Sequence, residues 1–125
     1  MSKTQSLLID FEKALSHFAE VLQKEKTDIV RDSAIKRFEF VFDLAWKALK
    51  AYLDEERGII CHSPKTCFKE AFQSGIIEHE EFWLKVTDDR NYTAHTYKEV
   101  FAEKIYSNLP NALLNFQELF KALKG

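Results

Sequence analysis

The chain has 125 residues, the size of one domain with enough core to stand without covalent staples, so a single unit over residues 1–125 is expected. Hydrophobic residues make up 46% and charged residues 30%, with only three Gly and two Pro, a turn-poor composition that favours helices over strands. A net charge of −2 and a pI near 6.1 lack the basic excess of a general DNA binder. No apolar run approaches bilayer length, and the opening MSKTQSLLIDFEKAL carries charges among its apolar positions, so neither DNA nor membrane is expected as a partner and the location expected is the cytoplasm.

Leu7, Leu8, Phe11, Leu15, Phe18 and Leu22 recur at steps of three and four, which predicts an amphipathic helix from about Thr4 to Lys24. The polar KEKTD, residues 24–28, makes a loop. A second helix is predicted from about Asp28 to Arg57, with Gly58 as its C-terminal cap. At about 100° per residue, Lys36, Glu39, Asp43, Lys47, Lys50 and Asp54 form one narrow stripe, and apolar positions cover roughly 240° of the remainder. That arc is wider than a surface helix needs. Either neighbouring helices of the same chain surround it, or its part containing Phe40, Leu44, Ala48 and Ala51 faces a second copy.

Cys61 and Cys67 lie beside His62 with too few further ligands at zinc spacing, so two ordinary reduced thiols near a loop are expected, with no metal site. Ser63–Pro64 is an N-cap followed by a first-turn proline and opens a short helix that Gly75 closes. Another helix follows from about Glu78, packing through Phe82, Trp83 and Val86. The last begins near Lys98 and runs through Ile105, Phe116 and Leu123, with a kink or a break into two helices at Asn108 expected from Pro110. The fold class is therefore all-α: an antiparallel four-helix up-and-down bundle with one short extra helix.

Polar chemistry concentrates in DDRNYTAHTY, residues 88–97. On a continuous helix Asp88, Asn91 and His95 share one stripe, and Arg90 and Tyr97 share the next. Asp88 is then placed to orient the His95 ring, with Arg90 reaching the space in front of it. One histidine and one arginine suit phosphodiester chemistry on RNA. The imidazole moves the proton of a 2′-hydroxyl or of the leaving oxygen, and the guanidinium holds the phosphate without any metal or cofactor. A single chain supplies one such histidine, so an acid and base pair calls for two copies across a two-fold interface. A capping and salt-bridge network at a helix end accounts for the same residues, and both readings stand on spacing alone. His17 and His79 read as solvated helix residues. Arg37, Glu39, Asp43 and Lys47 are candidates to line the motif or members of a solvated stripe.

Three segments, RFEFVFDLAWKALKAYL (37–53), SPKTCFKEAFQSGII (63–77) and DDRNYTAHTY, resemble the nucleotidyltransferase substrate-binding protein family, a branch of the HEPN superfamily, in order and spacing over nearly the whole chain. The resemblance implies a helical bundle that dimerises and forms a complex with a minimal nucleotidyltransferase. Arg90, Asn91 and His95 match the HEPN signature with four residues between arginine and histidine, and Tyr97 matches the tyrosine that follows it in the extended form. In toxin members that motif cuts RNA without metal, and the partner attaches AMP to the tyrosine. The resemblance thus implies one of two functions. One is a toxin–antitoxin-like module with an endoribonuclease site at Arg90 and His95; the other is a non-catalytic module that uses Asp88 and Asn91 to present a nucleotide or other substrate to its partner.

Overall fold

A computed structural model describes all residues from Met1 to Gly125 and contains five α-helices and no strand. Helix α1 spans Lys3–Leu22, α2 Asp28–Arg57, α3 Pro64–Gln73, α4 Glu80–Tyr92 and α5 Glu99–Lys124, with a 3-10 turn at Thr93–His95 between the last two.

Local chemistry explains most of the boundaries. Ser2 and Gln5 form a reciprocal capping box at the start of α1, and the Thr27 hydroxyl caps α2 by accepting from the Val30 N–H. Gly58 ends α2 in the left-handed region at φ 65°, where a side chain would be strained. Ser63 and Thr66 cap α3 above Pro64 at its first turn. Helix α4 starts two residues later than expected, with His79 exposed at its N-cap and making no side-chain cap bond.

Polar contacts at the helix ends fix the directions. Thr4 at the start of α1 donates its backbone N–H to Glu55 near the end of α2, at 2.9 Å, and its hydroxyl donates to the same carboxylate, so the two helices run antiparallel. Arg31 near the start of α2 donates to Glu103 in the first turns of α5 at 2.9 Å, so α5 runs back beside α2 in the same sense. Helix α4 delivers its C-terminal end to the middle of α2. These directions give the up-and-down bundle expected, with α3 as the extra helix.

Aromatic rings tie all five helices into one core. Phe38 of α2 packs its ring 6.4 Å from Phe18 of α1 and 6.1 Å from Phe116 of α5. Phe42 continues to Phe68 of α3, which stacks on Trp83 of α4 at 4.8 Å, and Trp83 returns to Phe116 at 5.5 Å. Rings at such separations add to the burial of their own area.

One expectation, that of two reduced thiols, is corrected, and two pairs of alternatives are narrowed. Helix α5 runs unbroken through Pro110 and does not divide at Asn108; Pro110 is exposed, and the buried Leu109, Ala112 and Phe116 on either side hold both halves against the core. Cys61 and Cys67 are joined in a disulfide across a Cα–Cα distance of 5.3 Å, because Ser63–Pro64 turns the chain back and brings the first turn of α3 over the connector. The wide apolar arc of α2 is largely covered by its own bundle, since Ala48 and Ala51 are buried; Phe40, 53% exposed, and the half-buried Leu44 remain uncovered.

Arg31 is a feature that no sequence pattern singles out. Its side chain is only 7% exposed and faces four carboxylates: Asp28, Asp32, Glu99 and Glu103. Hydrogen bonding to Glu103 and Asp32 holds the guanidinium firmly charged. Lys26 also pairs with Glu103, so this cluster fastens the beginning of α5 and with it the turn that carries Tyr97.

Candidate functional site

The last turn of α4, the 3-10 turn and the start of α5 place residues 88–97 against the middle of α2. The α-helix stops at Tyr92, so the stripe expected to align Asp88, Asn91 and His95 does not continue to the histidine. Thr93 explains the change. Its hydroxyl lies 2.7 Å from the Arg90 carbonyl and 2.9 Å from Glu39 Oε1, an alternative to regular helical bonding at a buried position.

Arg90 is directed at α2. Its Nε donates to Asp43 Oδ1 and its Nη2 to Asp43 Oδ2, both at 3.1 Å, a bidentate pair. Its Nη1 donates to Glu39 Oε1 at 3.1 Å and to the Thr93 hydroxyl at 3.0 Å. A guanidinium has five N–H groups, and these four bonds leave one N–H on Nη2. Hydrogen bonding to Asp43 is the main cause that raises the Arg90 pKa still further, so the group is a fixed cation.

His95 is exposed, and its imidazole makes no hydrogen bond to another residue. It stands between two tyrosines, with the Tyr92 ring at 6.3 Å and the Tyr97 ring at 6.2 Å, both edge to face. Tyr97 is 76% exposed and lines a cleft of about 440 Å³ with Lys36 and Glu39 of α2 and Thr93 and Thr96 of the turn. His95 itself is not among the residues that line the cleft, and the Tyr97 ring is open to solvent.

Asp88 and Asn91 lie apart from this arrangement. Asp88 pairs with Lys65 of α3 at 2.7 Å and so braces α4 against α3, while Asn91 is exposed. Of the candidates on α2, Glu39 and Asp43 do line the motif. Thr93 and Lys65 were missed: a threonine three residues after the arginine was a readable signal, but Lys65 lies 23 positions from Asp88 and nothing in the sequence links them.

The fold and site thus define an all-α bundle with an acid-clamped arginine at the end of α4 and an exposed histidine in the turn that follows. Residues 6–125 match the family described as "Nucleotidyltransferase substrate binding protein like", and the chain belongs to that family. It is 31% identical over 104 residues to the "Probable ribonuclease HepT" of Haemophilus influenzae, a match spanning 77% of this chain and 71% of that protein. Among solved structures, a protein of Thermus thermophilus is 36% identical with a TM-score of 0.88, covering 92% of this chain and 99% of the other. A second solved structure, from Haemophilus influenzae and described as revealing the fold of a substrate binding domain of a nucleotidyltransferase, aligns with a TM-score of 0.72 at 21% identity over 98% and 97% of the two chains, and shares the fold.

Proposed function

We propose that this protein is the partner subunit of a minimal nucleotidyltransferase in a toxin–antitoxin-like module of the cytoplasm, and that its homodimer cuts RNA without a metal. The observation that carries the reading is an exposed His95 in the turn that follows an Arg90 locked in place by Asp43 and Glu39, next to a cleft lined by Glu39, Thr93 and the exposed Tyr97. In the reaction, the imidazole of one copy removes the proton of a ribose 2′-hydroxyl, whose oxygen attacks the adjacent phosphorus. The P–O5′ bond then breaks, leaving a 2′,3′-cyclic phosphate, and the imidazolium of the second copy returns a proton to the 5′-oxygen. Arg90 contributes positive charge where negative charge grows on the phosphate. The relative named a probable ribonuclease supports this reading, as does membership of the substrate-binding family.

A second reading has its own support. Four of the five Arg90 N–H groups are already engaged by protein acceptors, so the arginine cannot grip a phosphate bidentately while the clamp is closed. A non-catalytic module that presents a nucleotide or another substrate to the nucleotidyltransferase needs only a fixed cation beside a cleft.

Incubation of the purified protein with tRNA and a mixed-sequence single-stranded RNA, in EDTA, separates the two. Cleavage by the wild type that is lost in His95→Ala, with cyclic phosphate ends, is the result expected of the ribonuclease. RNA left intact by a folded wild type, or cut equally by His95→Ala, overturns it.

A further inference from the structure

One side of the bundle holds a second cavity, on the same stripe of α2 as the Arg90 clamp but further toward its C-terminal end. It has a volume of about 520 Å³, larger than the cleft at the motif and within the range of small-ligand sites. Its walls are the first turns of α1, the outer face of α2 from Trp46 to Glu55, and the connector at Ile60 and Cys61.

Three features of the walls point to a class of ligand. Trp46 is a half-buried indole that makes no hydrogen bond and lies at the cavity surface. Three lysines, Lys3, Lys47 and Lys50, line the space, and none has a carboxylate partner within 4.0 Å. Their positive excess is only partly offset. Glu55 accepts two hydrogen bonds from Thr4, the main reason its pKa is lowered, and Asp54 is the other acidic residue on the wall. Lys50 holds its ammonium over the Trp46 ring, 5.8 Å from the centroid.

The walls are also fastened from behind. The Cys61–Cys67 disulfide ties the connector to α3, and the Thr4–Glu55 bonds tie α1 to α2, so the cavity exists without a ligand to shape it. Leu7, Ala51 and the 70% exposed Ile60 give it an apolar lining. Apolar walls with an indole on one side and an excess of ammonium groups over carboxylates on another suit a planar ring that carries negative charge.

We propose that this cavity binds a free nucleotide, with the base on Trp46 and the phosphates among Lys3, Lys47 and Lys50. Lysine serves phosphate as a point charge and does not need the fixed geometry that arginine brings. The site is separate from His95 and Arg90, and its occupancy does not depend on whether the motif cuts RNA.

The test uses tryptophan fluorescence and calorimetry on the full chain. Trp83 is 3% exposed and stacked on Phe68, so quenching by an added nucleotide reports on Trp46. Titration with ATP is expected to quench and saturate below ~1 mM at low salt. Inorganic tripolyphosphate and adenosine, the two halves of the ligand, are each expected to bind at least about tenfold more weakly. The double variant Lys47→Gln/Lys50→Gln is expected to lose at least about tenfold in ATP affinity while keeping its helical circular dichroism, and Trp46→Leu, followed by calorimetry, to lose a similar factor. Arg90→Ala should bind ATP like the wild type. Absence of ATP binding to the folded wild type overturns the proposal, as does ATP affinity unchanged in the lysine variant. Tripolyphosphate binding as tightly as ATP, with Trp46→Leu unaffected, reduces the cavity to a patch of positive charge and overturns it too. Loss of ATP binding in Arg90→Ala places the nucleotide at the motif and not here.

Discussion

Arg90 and Asp43 meet through two parallel hydrogen bonds of 3.1 Å, across 47 positions of sequence, and this pair sets what the motif can do. The carboxylate fixes the plane of the guanidinium, Glu39 and Thr93 hold its other edge, and the chain around Arg90 must then leave the α-helix to bring Thr93 into the cluster. His95 is presented to solvent as a consequence. An arginine that reads as a substrate clamp in the sequence is, in the fold, a clamped residue with one donor left for a substrate.

Asp43→Asn tests that arrangement. The amide keeps the shape but removes the charge and one of the two acceptors, so one Arg90 bond is lost and the guanidinium can swing away. Both partners are partly exposed, so the stability cost is expected to be small, about 1 kcal/mol by urea denaturation. The functional effect should be larger: RNA cleavage in EDTA should fall at least about tenfold below the wild type, because a catalytic cation misplaced by an ångström loses most of its effect. A variant that is destabilised by several kcal/mol, or one that cuts RNA at the wild-type rate, contradicts this role for Asp43.

Phe38 is the ring on which α1, α2 and α5 converge, and it is 1% exposed. Phe38→Ala should cost about 3–5 kcal/mol, since the neighbouring rings cannot close a phenyl-sized hole completely. Equilibrium unfolding in urea measures the loss; a value below about 1 kcal/mol would mean that the core repacks around the gap.

How much of the molecule is legible in its sequence depends on whether the cause is local. Helix existence follows from apolar spacing, and the ends of α2 and α3 follow from Gly58, Ser63 and Pro64, because caps act within one turn. Pro110 does not divide α5, because packing on both sides outweighs one missing hydrogen bond. The cysteines read as reduced when compartment is weighed without geometry; a Ser-Pro turn that returns the chain within six residues brings them together. At the motif, the residue types and the arginine-to-histidine spacing are visible, whereas the partners of Arg90 and Asp88 are set by how α4 lies against α2 and α3. The four carboxylates around Arg31 come from two helices, with Glu99 68 positions away, which no local pattern announces.

Stability should fall with acid. Glu103 is lowered from its ordinary value of 4.5, chiefly by the Lys26 hydrogen bond and then by Arg31, and Glu55 is lowered by Thr4. A carboxyl lowered in the folded state stabilises it above the unfolded value and loses that contribution as pH falls through the folded one. Asp89 acts in the opposite direction: burial raises its pKa, so protonation on acidification favours the fold. Melting temperatures taken from about pH 7 down to about pH 3 should decline below about pH 4.5 as protonation of Glu103 and Glu55 removes these bonds. Glu103→Gln should lower the melting temperature at neutral pH and flatten the acid decline. An unchanged slope in that variant would remove Glu103 from the account.

The uncovered part of α2 offers the most direct test of assembly. Phe40 is 53% exposed with Lys36 5.7 Å from its ring, and the half-buried Leu44 lies one turn further along the same helix. Glu39 and Asp43 sit beside them and hold Arg90, so a second copy docked on this face would bring two motifs together. The wild type is therefore expected to have the mass of a dimer by light scattering at micromolar concentration. Phe40→Asp places a charge in the centre of that contact, where desolvation is costly, and should yield a folded monomer with the wild-type circular dichroism. RNA cleavage should disappear in that variant even though Arg90 and His95 are intact, because each monomer keeps only one imidazole. A dimer that survives Phe40→Asp would place the interface elsewhere, and a monomeric wild type would leave the two-copy mechanism without its second histidine.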